Sequence, residues 1–427
     1  MRALLTPEQG TPELITTAEQ FSLCISELKA GHGPIAIDAE RASGFKYSSR
    51  AYLIQLFRRG GGLHLIDPIA VTDPALISEL NEVVAGCETV IHASTQDLPC
   101  LNEYGIHPKT LFDTELGARI AGCERVGLGA LCETLLEISL AKEHSAVDWS
   151  IRPLLQEWLD YAALDVAVLL DLRDKIAALL ENQNKLKWAL QDFAAILNAP
   201  PAKPRNEPWR RTSGMHEIKS RYQMAIIRDL WIKRDEIASQ IDLAPGRLLS
   251  DAVIVALAKS QIKTREEFLK LPEAKSRIRN EVQKSYIELW LETFLTASKL
   301  KEDSWPQLRT KTDSLPPVKI WKVKFPLAHA RISHARHDLA QIAADLSMPL
   351  ENLLTPELAR KVCFDNGAEQ MNVLSAKLIE KVETQLRLNG AREWQIEKCA
   401  AVLAGALCQT QPISTPEPEP SETPTEG

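Results

Sequence analysis

The segment PIAIDAE at residues 34–40 decides how the first part of the chain folds, because small and β-branched apolar residues follow a Gly-Pro turn and end in two acids. Similar apolar runs follow at 52–57 and 63–66, and the glycines at 60–62 predict a hairpin-like connection between them. A fourth run spans residues 89–92. These runs predict the strands of one sheet.

Amphipathic helices are predicted between and after these strands. Apolar residues recur at three-and-four spacing over residues 74–84, 128–138 and 154–180, and a further helix is predicted over 184–197. The mixture of strands and helices indicates an α/β domain with a mixed sheet.

A proline-rich stretch at 199–208 ends this domain, because each proline lacks a backbone N–H and disfavours helix in the residue before it. Helices alone are predicted beyond it. A shift of 105 residues brings 237–238 onto 342–343 and 248–250 onto 353–355, which predicts a duplicated helical module, with chance similarity as the alternative. The predicted organisation is an α/β domain at 1–198, a linker at 199–214, a helical domain at 215–300, a linker at 301–324, a second helical domain at 325–408 and a disordered tail at 409–427.

The composition excludes several classes of protein. Apolar residues make up 45% of the chain and charged residues 25%, which is average for folded soluble proteins. The net charge of −7 argues against a surface built as a whole to hold nucleic acid, so any such site must be local. The cysteines form no C-x-x-C pair, which fits neither a zinc ribbon nor a disulfide framework and indicates a reducing compartment.

No targeting or membrane segment is recognisable. The N-terminus lacks the apolar core of a secretory signal, and no run reaches the roughly 18 apolar residues that a membrane helix needs. We therefore expect a cytoplasmic protein without membrane association.

One region departs from the overall acidity. Residues 209–300 contain 17 Lys and Arg against 12 Asp and Glu. This excess predicts that the first helical domain contacts a phosphate backbone, whereas the alternative is an ordinary helical surface of mixed charge.

Two acids at the end of the first strand are candidates for metal binding. Asp38 and Glu40 are two residues apart, so alternation along the strand directs both side chains to one face. Like charges this close repel unless a cation neutralises them, and hard divalent cations prefer oxygen ligands. The alternative is a pair of solvated turn residues.

Three further residues could join them. Tyr161 and Asp165 are four residues apart in a helical segment and share one face of it. The alternative is an ordinary helix surface on which these side chains are merely solvated. Asp97 follows a strand at a predicted helix start, where its carboxylate could instead cap the helix. The ordered combination is more informative than any one of these pieces.

Together these motifs resemble a known family. D-A-E at 38–40, H-A-S-T-Q-D-L at 92–98 and Y-A-A-L-D at 161–165 are similar to the three exonuclease motifs of the DEDD superfamily in its tyrosine-bearing branch. F-D-T at 112–114 and D-W-S-I-R-P-L at 148–154 resemble ribonuclease D. The likeness covers about residues 15 to 185.

A second likeness lies in the first helical domain. W-x-x-R-D-E-I-A at 231–238 and P-G-R-L-L-S-D at 245–251 resemble the HRDC domain that accompanies ribonuclease D and RecQ-type helicases. The implied fold class is α/β, a ribonuclease-H-like exonuclease domain with a mixed sheet, followed by all-α HRDC-type helical modules.

The resemblance also implies a site. Two divalent metal ions, Mg²⁺ or Mn²⁺, would be held by carboxylates, with Asp97 on the side of the leaving group, and a tyrosine would orient or deprotonate the attacking water. The implied metal ligands are Asp38, Glu40, Asp97 and Asp165, and the implied tyrosine is Tyr161.

Three neighbouring residues extend or qualify this set. Many relatives place an aromatic residue directly before the aspartate of the second motif, and here that position is Gln96. Lys142 and Arg152 flank the tyrosine motif and are candidates for binding substrate phosphate, with ordinary surface charge as the alternative.

The function that the resemblance implies is 3′-to-5′ exoribonuclease activity that releases nucleoside 5′-monophosphates from RNA 3′ ends. Transfer-RNA precursors or other structured RNA would be the substrates, and we expect a monomer. A DNA exonuclease and a non-catalytic nucleic-acid-binding protein that retains the fold are the alternatives.

Overall fold

The computed structural model describes most of the chain. The described residues are 2–140, 147–201, 203–309, 315–366 and 373–413. They form two compact units. One unit comprises Met1–Thr114, Leu128–Arg173 and Ile196–Lys311, and the other comprises Glu115–Gly127, Asp174–Ala195 and Thr312–Gly427. The predicted tail falls largely outside the described residues.

A mixed sheet forms the centre of the α/β domain. Its strands have the order β2-β5-β4-β3-β6-β7, in which β3-β4 and β4-β5 are antiparallel and the other neighbours are parallel. A separate parallel pair joins β1 to β8. The strands are β1 (Arg2–Leu4), β2 (Leu14–Ile15), β3 (His32–Arg41), β4 (Ala51–Arg59), β5 (Gly62–Ile66), β6 (Glu88–Ile91), β7 (Thr110–Asp113) and β8 (Ile138–Leu140). The predicted mixed α/β fold is confirmed.

Strand β3 lies inside the sheet, as its apolar sequence requires. Ile35, Ala36 and Ile37 are fully buried, and β4 and β6 pair with the strand on its two sides. The predicted hairpin joins β4 to β5, and Gly60 and Gly62 take positive φ angles of 71° and 83° in its turn.

The first 200 residues also form eight α-helices within the described part of the chain. They are α1 (Ala18–Ala30), α2 (Pro74–Ala85), α3 (Leu98–Tyr104), α4 (Thr114–Ile120), α5 (Leu128–Leu131), α6 (Gln156–Ala167), α7 (Leu169–Asn182) and α8 (Leu186–Leu197). Two predictions need correction here. The long helix predicted over 154–180 is two helices that meet at Val168, and the helix predicted over 128–138 ends early in a π-helical turn before β8. Glu137, with a φ of 60°, ends that turn and cannot continue a right-handed helix.

The first helical module lies in the same unit as the sheet. Its helices are α9 (Arg221–Gln240), α10 (Pro245–Leu248), α11 (Asp251–Lys259), α12 (Arg265–Lys270), α13 (Pro272–Arg277), α14 (Glu281–Ser285) and α15 (Ile287–Ser298). They enclose an apolar core that includes Trp209, Leu230, Trp290 and Phe294.

This module contacts the loop that follows β3. The backbone N–H of Ala244 donates to the carbonyl of Phe45 at 3.0 Å. Arg247 on α10 donates to the carbonyl of Gly44 at 2.6 Å, and its guanidinium lies 4.0 Å from the centre of the Phe45 ring. Asp242, at a positive φ of 47°, accepts a hydrogen bond from the backbone N–H of Ser48 in this loop.

The second helical module belongs to the other unit. Its helices are α16 (Trp321–Lys324), α17 (Pro326–Asp345), α18 (Leu350–Leu353), α19 (Pro356–Asp365), α20 (Ala376–Leu388) and α21 (Glu393–Leu407). Helices α17, α18 and α19 begin 105 residues after α9, α10 and α11, and α17 and α18 also end 105 residues after their counterparts. Ser347 likewise takes the φ of 47° that Asp242 takes 105 residues earlier. Three successive helices of each module therefore correspond at the shift of the sequence repeat, whereas the helices that follow them differ in number among the described residues.

None of the helices in the described part of the chain is both long enough and apolar enough to cross a membrane.

Candidate active site

A cleft of about 510 Å³ lies at the end of strand β3. Its lining comes from the ends of β3 and β6, from helices α5 and α6, and from the turn before α3. The structure brings together here all five residues of the predicted site, which are Asp38, Glu40, Asp97, Tyr161 and Asp165.

Strand β3 and helix α6 hold the acids that lie nearest one another. Asp38 and Glu40 project from one face of β3, and Asp165 comes from α6, which packs against that strand. One carboxylate oxygen of each of these three residues lies within 4.8 Å of the others. The local spacing in the sequence thus becomes a three-dimensional cluster because α6 crosses the end of β3.

Tyr161 lies one helical turn before Asp165. Its hydroxyl donates a hydrogen bond to the Asp165 carboxylate. Burial, together with the negative charges of Asp165 and Glu40, raises the pKa of Tyr161. The phenol is therefore neutral in the metal-free site and holds its hydroxyl beside the acids.

Asp97 stands at the beginning of α3 but does not cap it. No hydrogen bond runs from its side chain to the first turn of the helix, so the capping alternative is wrong. The carboxyl group is buried, shares a hydrogen bond with Asp38, and has Oδ1 3.7 Å from a terminal nitrogen of Arg41. Asp97 therefore belongs to the acidic cluster.

The turn that precedes Asp97 is hydrogen-bonded to another buried acid, Asp113 at the end of β7. Its carboxylate accepts hydrogen bonds from the backbone N–H and the hydroxyl of Ser94 at 2.8 and 2.7 Å. Ser94 begins the short turn Ser94–Gln96 that precedes Asp97. The F-D-T motif at 112–114 was noticed in the sequence, but this supporting contact could not be inferred from it.

The acids of the cleft are held in a strained electrostatic state. Burial, with smaller contributions from neighbouring carboxylates, raises the pKa of Asp97 to about 8. Burial also raises the pKa of Asp38 to about 6, against the opposing effects of a backbone hydrogen bond from Ala39 and of Arg41. For Glu40 and Asp165, burial and then the charge of Asp38 hold the pKa well above its ordinary range. A cation would relieve this repulsion.

The donor set fits divalent metal ions. It consists of carboxylate oxygens, the ligands that Mg²⁺ and Mn²⁺ prefer, and the clustered oxygens lie close enough to share a cation. His92, which also lines the cleft, has its Nδ1 2.9 Å from the Thr114 hydroxyl. The ligands that the cluster offers to a cation are therefore carboxylate oxygens.

The sequence prediction missed other residues of the cleft. Arg41 and Glu133 add one cation and one acid to its lining, and Gln96, which was noted only as a departure from the motif, lies there too. The adjacency of Arg41 to Glu40 was available in the sequence, but strand alternation predicts the opposite face for it.

The two phosphate-binding candidates fare differently. Arg152 is not in the cleft: its Nε and one terminal nitrogen bind Asp67 at 2.7 and 2.8 Å. The guanidinium also donates to the carbonyls of Tyr52, Trp149 and Ile151. Its donors are thus engaged within the protein, and the prediction of a phosphate contact is corrected. Lys142 lies outside the described residues.

Sequence families match three parts of the chain. The family described as 3′-5′ exonuclease matches residues 12–181, and the HRDC domain family matches residues 223–293. The family described as 3′ to 5′ exonuclease C-terminal domain matches residues 314–407.

Individual relatives agree with these matches. Ribonuclease D of Shewanella sp. (strain ANA-3) is 31% identical over 240 residues, which is 56% of this chain and 61% of the relative. The matched part thus spans less than two thirds of that relative's length. A crystal structure of a protein from Bifidobacterium adolescentis has a TM-score of 0.85 and 34% identity, and the match covers 95% of this chain and 99% of that one.

A further structure shares the fold. Escherichia coli RNase D, described as an exoribonuclease involved in structured RNA processing, has a TM-score of 0.62 at 22% identity over 89% of this chain and 99% of its own. The motifs, the family matches and the named relatives agree in what the chain is similar to: residues 12–181 resemble the 3′-5′ exonuclease part of ribonuclease D, and residues 223–293 resemble an HRDC domain.

Proposed function

We propose that the chain is a metal-dependent 3′-to-5′ exoribonuclease that removes nucleoside 5′-monophosphates from RNA ends. The observation that carries this proposal is the convergence of Asp38, Glu40 and Asp165 within 4.8 Å in an open cleft. A group of buried like charges is costly, and a site for cations that act on phosphates explains why it persists.

The residues of the cleft would divide the work. Asp38, Glu40, Asp97 and Asp165 would hold divalent cations, with Mg²⁺ or Mn²⁺ as the proposed ions. When bound, such ions lower the pKa of water and stabilise charge on the leaving oxygen. Tyr161, fixed by its hydrogen bond to Asp165, would orient the attacking water.

The first helical module would guide RNA toward this cleft. Arg277 and Arg279 are exposed beside a small cavity that Ser250, Ser276 and Gly246 also line. Their charges belong to the positive excess of residues 209–300. Exposed arginines in such a cavity suit backbone phosphates, which favour guanidinium groups.

The activity is tested with a 5′-labelled transfer-RNA precursor incubated with Mg²⁺, Mn²⁺ or EDTA. We expect stepwise shortening from the 3′ end with either metal and none with EDTA. The Asp38→Ala variant should be inactive, and full activity in that variant would overturn the proposal. A matched single-stranded DNA, digested in parallel, separates an RNA enzyme from a DNA exonuclease.

The guiding role has its own test. Replacing Arg277 and Arg279 together by glutamine should weaken RNA binding and flatten its dependence on salt by about two units of slope at most. Arg265→Gln, which removes an exposed arginine paired with Glu288 in the same module, is the matched control. Equal affinity and equal salt dependence in both proteins would exclude the cavity as an RNA contact.

A further inference from the structure

Arg41 places a positive charge in the cleft, and the proposed reaction assigns no role to it. Among the described residues that line the cleft, the acids are Asp38, Glu40, Asp97, Glu133 and Asp165. A lining made of acids alone would repel an RNA strand. Among the lining residues that the structure describes, Arg41 alone is an arginine or lysine, so it is the positive charge that faces these acids.

An irregularity in the sheet accompanies this placement. Strict alternation along β3 would direct Arg41 away from the face that carries Asp38 and Glu40. The register with β4 shifts at this point, because Glu40 is opposite Leu53 whereas Arg41 is opposite Ala51. The unpaired residue is Tyr52 on β4, and such irregularities are common beside active sites. Arg41 lines the same cleft as the two acids, with its guanidinium beside Asp97.

The guanidinium of Arg41 is held loosely there. A terminal nitrogen lies 3.7 Å from Oδ1 of Asp97, which is longer than a hydrogen bond, and 28% of the Arg41 side chain is exposed. Within the described residues no hydrogen bond from this guanidinium is present. Arg152 in the same domain is bound to Asp67 at 2.7 Å by contrast. Arg41 thus keeps donors for an anion that enters from solvent.

We propose that Arg41 binds a non-bridging phosphate oxygen of the RNA strand, at the phosphodiester that precedes the scissile one. The inference rests on the proposed exonuclease function. A guanidinium donates two parallel hydrogen bonds to phosphate oxygens, which makes arginine suited to this contact. The choice of this phosphodiester follows from Asp97, which lies beside Arg41. The resemblance implies that Asp97 is on the side of the leaving group, and the upstream RNA strand lies on that side.

The proposal is tested with RNAs that differ in one charge. In each of a series of 5′-labelled RNAs, one linkage upstream of the scissile bond is replaced by an uncharged methylphosphonate. The proteins are the wild type, Arg41→Gln, Arg41→Lys and the control Arg59→Gln. Arg59 lies at the opposite end of β4, outside the cleft, and its loss changes the net charge of the domain equally.

We expect the effect of Arg41→Gln to disappear when one particular linkage of the RNA is uncharged. On ordinary RNA, Arg41→Gln should lower kcat/KM about 10- to 100-fold, mainly through KM, because one charge-assisted contact is removed. On RNA with the methylphosphonate next to the scissile linkage, it should differ from the wild type by less than about 3-fold. Arg41→Lys should recover part of the loss, and Arg59→Gln should match the wild type. An equal loss for Arg41→Gln on every RNA would overturn the proposal, because Arg41 would then act only through Asp97.

A binding measurement separates this inference from the proposed activity. Fluorescence anisotropy with Mg²⁺ uses an RNA whose terminal linkage carries a methylene group in place of the bridging 3′-oxygen, so that it is not cleaved. Arg41→Gln should raise Kd about 10- to 100-fold relative to Arg59→Gln. An unchanged Kd overturns the role of Arg41 even if the wild type degrades RNA. If the wild type shortens no RNA but Arg41→Gln still raises Kd, the proposed activity is refuted and the contact of Arg41 with RNA is supported. Thermal melting with Mg²⁺ checks that each variant is folded.

Discussion

Two clusters of charged residues in the α/β domain differ in how their charge is balanced. Among the described residues of the cleft, one loosely held arginine faces several half-buried or buried carboxylates, and burial raises the pKa values of these acids. Around Arg152, one guanidinium meets one carboxylate and three carbonyls, all within hydrogen-bond distance. The first arrangement leaves charge for a ligand, whereas the second is complete within the fold.

The difference shows how charged residues of a binding site can be distinguished from charged residues that only stabilise the fold. Asp38 is half-buried and Asp67 is buried, but of these two aspartates only Asp67 forms an ion pair at 2.7 Å. We therefore expect substitutions in the two clusters to have opposite effects. Those in the cleft should remove activity and relieve strain, and those at Arg152 should reduce stability.

The largest effect is expected for Asp38→Asn. It should lower the rate of RNA hydrolysis by about 10³-fold or more, because a proposed ligand of the divalent cations is lost. In EDTA the same variant should melt at a higher temperature than the wild type, since one of the repelling charges is gone. Calorimetry and an RNA degradation assay on one preparation give both values. A variant that is inactive but destabilised in EDTA would contradict the comparison.

Tyr161→Phe tests the neutral member of the cleft. We expect hydrolysis to slow by about 10²-fold or more, because the hydroxyl that is proposed to orient water is removed. Binding of Mn²⁺, measured by calorimetric titration, should stay within about 3-fold of the wild type, since the carboxylates remain. Comparable losses of rate and of metal affinity would instead assign Tyr161 to the support of Asp165.

Arg152→Gln tests the balanced cluster. It should lower the free energy of unfolding by about 2 to 3 kcal/mol, because Asp67 would remain buried without its partner. Arg59→Gln is the matched control: its partner Asp171 is 70% exposed, so the cost should stay below about 1 kcal/mol. With correctly folded protein, kcat should be unchanged. A specific loss of RNA affinity in Arg152→Gln would restore the phosphate contact that the structure argues against.

The smallest effect is a dependence of stability on pH. Unfolded aspartate has a pKa of about 4, whereas the folded values are about 6 for Asp38 and about 8 for Asp97. The folded protein therefore binds more protons in this range, and its stability without metal should fall as pH rises from about 4 through 8. We expect the melting temperature in EDTA to drop by several degrees between about pH 5 and pH 9. Mg²⁺ or Asp97→Asn should flatten the curve, and a rise with pH in EDTA would refute the assignment.

The sequence predicts best what depends on local periodicity. The two-residue spacing of Asp38 and Glu40, and the four-residue spacing of Tyr161 and Asp165, fix a shared face whatever the tertiary fold. The apolar runs likewise predicted β3 to β6 and the hairpin between β4 and β5. These features survive because the signal lies within a few residues.

What the sequence does not predict depends on distant partners. Arg152 finds Asp67, which lies 85 residues earlier, and nothing in the local pattern indicates that pairing. Arg41 enters the cleft at a register shift that depends on how β4 pairs with β3. The break at Val168 has no glycine or proline to mark it, because apolar residues continue on both sides.

The pairing of β1 with β8 has a consequence for the order in which the chain folds. Leu4 is opposite Leu140, so this small sheet closes a loop of well over a hundred residues. Closure of so long a loop is slow, because entropy opposes it until other contacts have brought the ends together. At a synthesis rate of about 5 to 20 residues per second, β1 would wait on the order of ten seconds for its partner to be made. Fusions and tags placed before β1 would therefore act on a segment that joins the domain late.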